Sequence, residues 1–134
     1  MRRRLFLALV ALTAVPGAWA HASEGKDKKK KAGGDSYIPI QTITAYTLRP
    51  NGRRGVLTVE CGLDVPDAKL RDRVELVLPR IRAAFVQSVQ VYAGGLPDRA
   101  PPNPQFLTRT LQHATDQTLG RPGARVLLGA VIVN

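Results

Sequence analysis

Two histidines and one cysteine are nearly the whole stock of side chains from which this sequence could build a catalytic or metal centre. With Cys61 alone, no disulfide can close within the chain and no cysteine-based metal cluster can form. His21 and His113 leave no Ser-His-Asp order to read, and no Gly-x-Ser-x-Gly elbow occurs. Phosphate-cradling glycine loops and paired Cys-x-x-Cys spacings are absent too; Gly33-Gly34 and Gly94-Gly95 are punctuation. The longest apolar stretch, near the start, is broken by Pro16-Gly17 and falls short of the ~20 residues a membrane-spanning helix needs. These absences argue against an enzyme and against any cofactor, and leave a fold, a compartment and a surface to be read.

The composition that remains, 44% hydrophobic and 22% charged, belongs to a folded chain and not a disordered one. At 134 residues it is one domain plus extras. The net charge of +10 is unevenly spread: residues 1–20 hold +3, residues 21–36 hold +2 and residues 37–134 hold +5. A domain at +5 is soluble and favours anionic surfaces, but that charge does not make it a nucleic-acid binder. No nucleic-acid partner is expected.

Residues 1–20 read as an export signal. Arg2, Arg3 and Arg4 form a positive start, Leu5 to Val15 an apolar run, and Ala18-Trp19-Ala20 a small-x-small cleavage site before His21. Arg3-Arg4-Leu5-Phe6-Leu7 also resembles the twin-arginine export pattern, with Ala8 where a lysine is usual, so both the Sec and the twin-arginine routes stay open. An uncleaved anchor in the inner membrane is the alternative to a signal. Residues 21–36 (HASEGKDKKKKAGGDS) hold no large apolar side chain and five of the six lysines, which makes them a Lys-rich flexible tether. A solvated spacer is its plain reading; contact with anionic headgroups on the inner membrane is the sharper one.

Residues 37–134 read as a single α+β domain in the order strand, strand, helix, helix, strand. In Tyr37 to Leu48 the spacing places Ile38, Ile40, Tyr46 and Leu48 on one face, and Pro39 argues for an edge position. Asn51-Gly52 is a hairpin dipeptide. Val56 to Val65 then alternates, with Leu57, Val59, Cys61, Leu63 and Val65 to one side. That puts Cys61 on the buried face as an apolar filler, and with no cationic neighbour its thiol should keep a high pKa.

Asp67 caps a long helix whose apolar positions Leu70, Val74, Val77, Leu78, Ile81, Phe85, Val89 and Tyr92 fall within an arc of roughly 120°. The stripe holds its phase across Pro79, which favours one kinked helix over two. Arg73 and Arg80 border one side of the stripe, Arg71 and Arg82 the other, and with Pro79 these are the candidate interaction positions. A proline-rich loop (GGLPDRAPPN) leads to a second helix, opened by Asn103-Pro104, carrying Leu107, Leu111, Ala114 and Thr118, and ended by Gly120. Ala124 to Val133 is apolar on both faces, as in a strand covered on both sides. Two helices cannot bury both faces of a small sheet, so the second cover would be another copy of the protein.

Two constellations remain to be weighed. His113 has Asp116 on a neighbouring position of the same helical face, by default a surface pair. If cleavage follows Ala20, the new terminal His21 could chelate copper through its amine and ring, with His113 as the second imidazole; this small periplasmic ligand- or copper-binding protein is the alternative function. Asp64, Asp67, Asp72 and Glu75 gather around the second strand and first helix beside arginines, which suggests surface pairs worth at most about 1 kcal/mol each and not acid catalysis.

Several stretches of residues 37–134 resemble the periplasmic domain of the flagellar basal-body-associated FliL family. They are the paired opening strands (YIPIQTITAYTL, VLTVECGLDV), Leu78-Pro79-Arg80-Ile81-Arg82 heading an apolar helix, a leucine-spaced second helix (FLTRTLQHATDQTLG) and the closing strand VLLGAVIVN. The resemblance implies a stomatin-like module that self-associates into rings, contacts the ion-driven stator or basal body of the flagellar motor, supports motility and is not an enzyme. This chain departs from the family pattern in carrying a signal peptide where members keep a transmembrane helix.

If the signal is removed as read, N-terminal sequencing of the exported protein should begin at His21; a sequence beginning in the signal would show the anchored form instead.

Overall fold

The computed structural model describes residues 34–134. The signal, with Ala18, Ala20 and His21, and nearly all of the tether lie outside the described residues. Strand β1 (Tyr37–Leu48) and strand β2 (Arg54–Asp64) form an antiparallel hairpin closed by residues 49–53. The Asn51 side chain accepts from the Arg53 amide at 3.0 Å, and Gly52 takes a left-handed φ of 74°, the conformation that makes an Asn-Gly pair a good reversal. Helix α1 (Ala68–Gly94) and helix α2 (Pro104–Leu119) follow, and strand β3 (Arg125–Val133) returns antiparallel to β2. The sheet order is β1-β2-β3, so β2 is central and both other strands are edges among the described residues. The α+β class and the order strand, strand, helix, helix, strand are as the sequence predicts. No described helix is long and apolar enough to cross a membrane.

The helix ends form where local chemistry places them. Asp67 accepts from the Lys69 amide at 3.3 Å, and Asn103 from the Phe106 amide at 3.1 Å. Each satisfies a donor that the first helical turn leaves unpaired. Gly120 closes α2 with φ 71°, its amide donating to the Asp116 carbonyl at 2.8 Å. Helix α1 is continuous through Pro79, whose ring deprives the Glu75 carbonyl of its usual partner without ending the helix.

Both helices lie on the same face of the sheet. Leu70, Val74, Ile81, Phe85 and Val89 of α1 meet Ile38, Ile43, Ala45, Leu57, Val59 and Leu63 of the strands, all buried. Leu107, Leu111, Thr115 and Leu119 are the buried side of α2. Thr115 takes an inward place that the leucine spacing does not reveal, its hydroxyl donating to the Leu111 carbonyl at 2.8 Å, while Ala114 and Thr118 are only half-buried. Gln112 ties α2 to β3: its amide donates to the Ala124 carbonyl at 2.7 Å, and its oxygen accepts from the Val126 amide at 2.9 Å.

The register departs from simple alternation at one level of the sheet. Ile40 pairs with Cys61 and Ile43 with Val59, so β1 carries an extra residue opposite Glu60. On the other side Cys61 pairs with Leu128 and Val59 with Val131, so β3 carries one there too. The bulge in β1 overturns the single face read from its spacing. Past it, Ile43, Ala45 and Thr47 point inward, while Tyr46 and Leu48 turn outward at 57% and 70% exposure. One inserted residue moves every following side chain to the opposite face.

Phe85 is fully buried at the centre of the helix–sheet interface. Phe85→Ala should cost about 3–5 kcal/mol, a large part of the 5–15 kcal/mol by which a typical domain is stable; denaturant unfolding monitored by circular dichroism measures it.

Candidate interaction surface

With both helices on one side, the opposite face of the sheet has no layer over it among the described residues. Cross-strand pairing puts Tyr46 beside Val56, and Thr44, Thr58 and Ile132 in one row across the three strands. Pro39, Gly62 and Leu127 form another row. The Tyr37 ring lies over Gly62, in space any side chain at that position would fill. The Arg54 guanidinium sits 5.7 Å from the centre of the Tyr46 ring, a cation–π contact at the rim of the face. Ile132 and Leu127 are 49% and 37% exposed. The sequence predicts a β3 covered on both faces, the second cover coming from another copy of the protein; one copy of the chain leaves the outer face open, because α2 reaches it from the inner side alone.

A second apolar feature lies at the other end of α1. The Tyr92 ring stacks on Phe106 with centroids 5.6 Å apart, and the Tyr92 hydroxyl accepts from the Asn103 amide at 2.7 Å. These contacts fold the proline-rich loop back between the helices. A groove of about 710 Å³ results, lined by Val91, Tyr92, Leu96, Pro101, Phe106 and Thr110. Val91 and Phe106 are exposed on its walls.

The candidate arginines separate by role. Arg71 fastens α1 to the end of β2, its guanidinium donating to the Val65 carbonyl at 3.1 Å and the Pro66 carbonyl at 3.2 Å. Arg73, Pro79 and Arg80 are exposed. Arg82 is half-buried with its Nε unpartnered, beside Pro39, Ile40, Gln41, Leu78 and Pro79 in a shallow cleft of about 470 Å³. The structure thus brings Pro79 and Arg82 together against the β1 edge and leaves Arg73 and Arg80 on the far flank of the helix. Sequence reasoning misses Gln112 and the stack of Tyr92 on Phe106; it places Tyr92 in the α1 stripe and expects two helices to leave one face of the sheet uncovered. A Tyr followed eleven positions later by a helix cap carries no local signal.

Among the described residues the sparse chemical groups stay apart. His113 is exposed, and Asp116 accepts from Gln112 at 2.9 Å in place of forming the expected pair with His113. His21 lies outside the described residues. No group of three metal-ligating side chains occurs among the described residues. Of the acids near α1, Asp67 pairs with Arg121 at 3.6 Å and Asp64 with Arg125 at 3.4 Å, across the fold and not with the helix arginines adjacent in sequence. Asp67–Arg121 is exposed and Asp64–Arg125 has a half-buried acid, and each is worth at most about 1 kcal/mol.

No family model matches the chain, and no curated protein matches its sequence.

Burial raises the Cys61 thiol from 9.0 to about 11. Because the folded value is the higher, the thiol's contribution to stability is whole below pH 9.0 and is lost as the pH rises through about 11. Thiol-reagent titration at neutral pH should find Cys61 inert in the folded protein and reactive after unfolding; Cys61→Ser should flatten the alkaline part of the stability profile.

Proposed function

We propose that the protein is a non-enzymatic, exported interaction module of the cell envelope. It works in the periplasm, and stays attached to the inner membrane if its signal is retained. The observation that carries this reading is the uncovered sheet face, where Tyr46, Leu48, Leu127 and Ile132 stand exposed. A sheet normally buries each apolar face against another layer, and among the described residues this face has none. The groove at Val91 and Phe106 adds a second docking place. Fixed apolar surface without a gathered set of reactive groups suits recognition of a protein neighbour.

The resemblance of residues 37–134 to the FliL family supplies the kind of neighbour: stator or basal-body proteins of the flagellar motor, engaged in support of motility. The Lys-rich tether adds attraction to anionic headgroups at the membrane surface.

Cross-linking and pull-down of the natively exported protein tests the reading. Stator or basal-body proteins should be recovered with the wild type and lost with the outer-face variant Tyr46→Lys/Leu48→Glu, which leaves the buried core untouched. Recovery of no envelope protein by the wild type would overturn it.

A further inference from the structure

The two edges of the sheet are not equally protected. The β1 edge carries Pro39, which has no amide proton to offer, and then the Gln41–Thr42 bulge, both devices that blunt strand addition. From Val126 to Val133, β3 contains no charge and no proline. Gln112 occupies the Val126 amide and nothing comparable covers the later residues among the described bonds. The phase of the ladder is set by Val56 and Asn134, which exchange both backbone hydrogen bonds at 3.0 Å. Antiparallel alternation then turns the Ile132 amide and carbonyl towards β2, and those of Val131 and Val133 towards the open edge.

We infer that this edge is an interface with a second copy of the chain, paired antiparallel through β3 about a two-fold axis at Ile132. Val131 of each copy then exchanges both backbone hydrogen bonds with Val133 of the other, and the two three-stranded sheets become one. The occupant must be extended and uncharged on both faces, because a charge placed there would be buried against Ile132 on one side or the half-buried Val131 and Val133 on the other. β3 meets that requirement. The nearest charged side chain on β3, Arg125, lies seven residues from the axis, about 23 Å along the strand, and the two copies of it point to opposite ends. Ile132 faces its own counterpart on the outer face, with Cβ atoms about 4.5–5.5 Å apart. The inference rests on the reading of the protein as an interaction module and names one of its neighbours.

Light scattering coupled to size exclusion on the natively exported chain tests it. The wild type should run at twice the mass of one chain. Val131→Pro removes an outward amide and no bond to β2, so it should keep the wild-type circular dichroism while weakening the dimer about ten- to hundredfold, one lost hydrogen bond from each copy. Where that variant fails to fold, Ile132→Lys decides, because it sets like charges against each other across the axis on an exposed face. Ile132→Cys should give a disulfide-linked dimer under mild oxidation, with the buried Cys61 left out of the reaction. Over a dilution series, a monomeric wild type, a folded Val131→Pro or Ile132→Lys variant whose dimer dissociates at the same concentration as the wild type's, or no cross-link at residue 132 would each overturn the interface. A monomeric wild type that still captures envelope proteins sinks the dimer alone. A dimer that captures none upholds the dimer and sinks the envelope reading.

Discussion

The apolar stripe of α1, from Leu70 through Ile81 and Phe85 to Val89, is laid across one face of the sheet, and α2 continues that layer under β3. Helices about 10 Å across need only two to floor three strands spaced about 4.8 Å apart. The material for a second floor is therefore missing from the described residues. The open face is a consequence of the same packing that makes the core, and the apolar side chains standing on it are ordinary core-type residues left without a partner layer.

Local features of the chain were readable because their causes are local. Asp67, Asn103-Pro104, Gly120 and Asn51-Gly52 each act on backbone groups within four residues, and each does in the fold what its chemistry predicts. The α1 stripe was legible for a related reason: period alone fixes which side faces inward. The faces of β1 were not. Nothing in IQTITAYTL marks the residue that bulges, since the insertion exists only in the register with β2, and spacing alone puts Tyr46 and Leu48 on the wrong side. Strand β3 is ambiguous in a different way. An apolar strand covered twice and one covered once with an unprotected far face have the same sequence.

Charge is distributed as a boundary more than as a site. Arg71 holds the start of α1, Arg54 sits over Tyr46, and Asp64 and Asp67 bind arginines that arrive from the far end of the chain. Ser36 also donates to Asp64, at 2.7 Å, so one carboxylate fastens the entry to β1, the end of β2 and the start of β3. The only histidine among the described residues stands alone on α2. Of the described side chains that the sequence offers for chemistry, the fold uses Cys61 as filler and gathers none of the others, whereas apolar groups line the outer face of the sheet and the groove.

Glu60 is flanked on both sides by an inserted residue, and Gly129 approaches so closely that a methyl group there would lie 3.3 Å from the Glu60 carbonyl oxygen. Each such insertion sharpens the right-handed coiling of its strand, and two at one level concentrate the curvature along a single line across the sheet. The Tyr46–Ile132 level and the Tyr37–Leu127 level are therefore separated by the most strongly twisted part of the sheet. A companion that touches both levels must follow that twist.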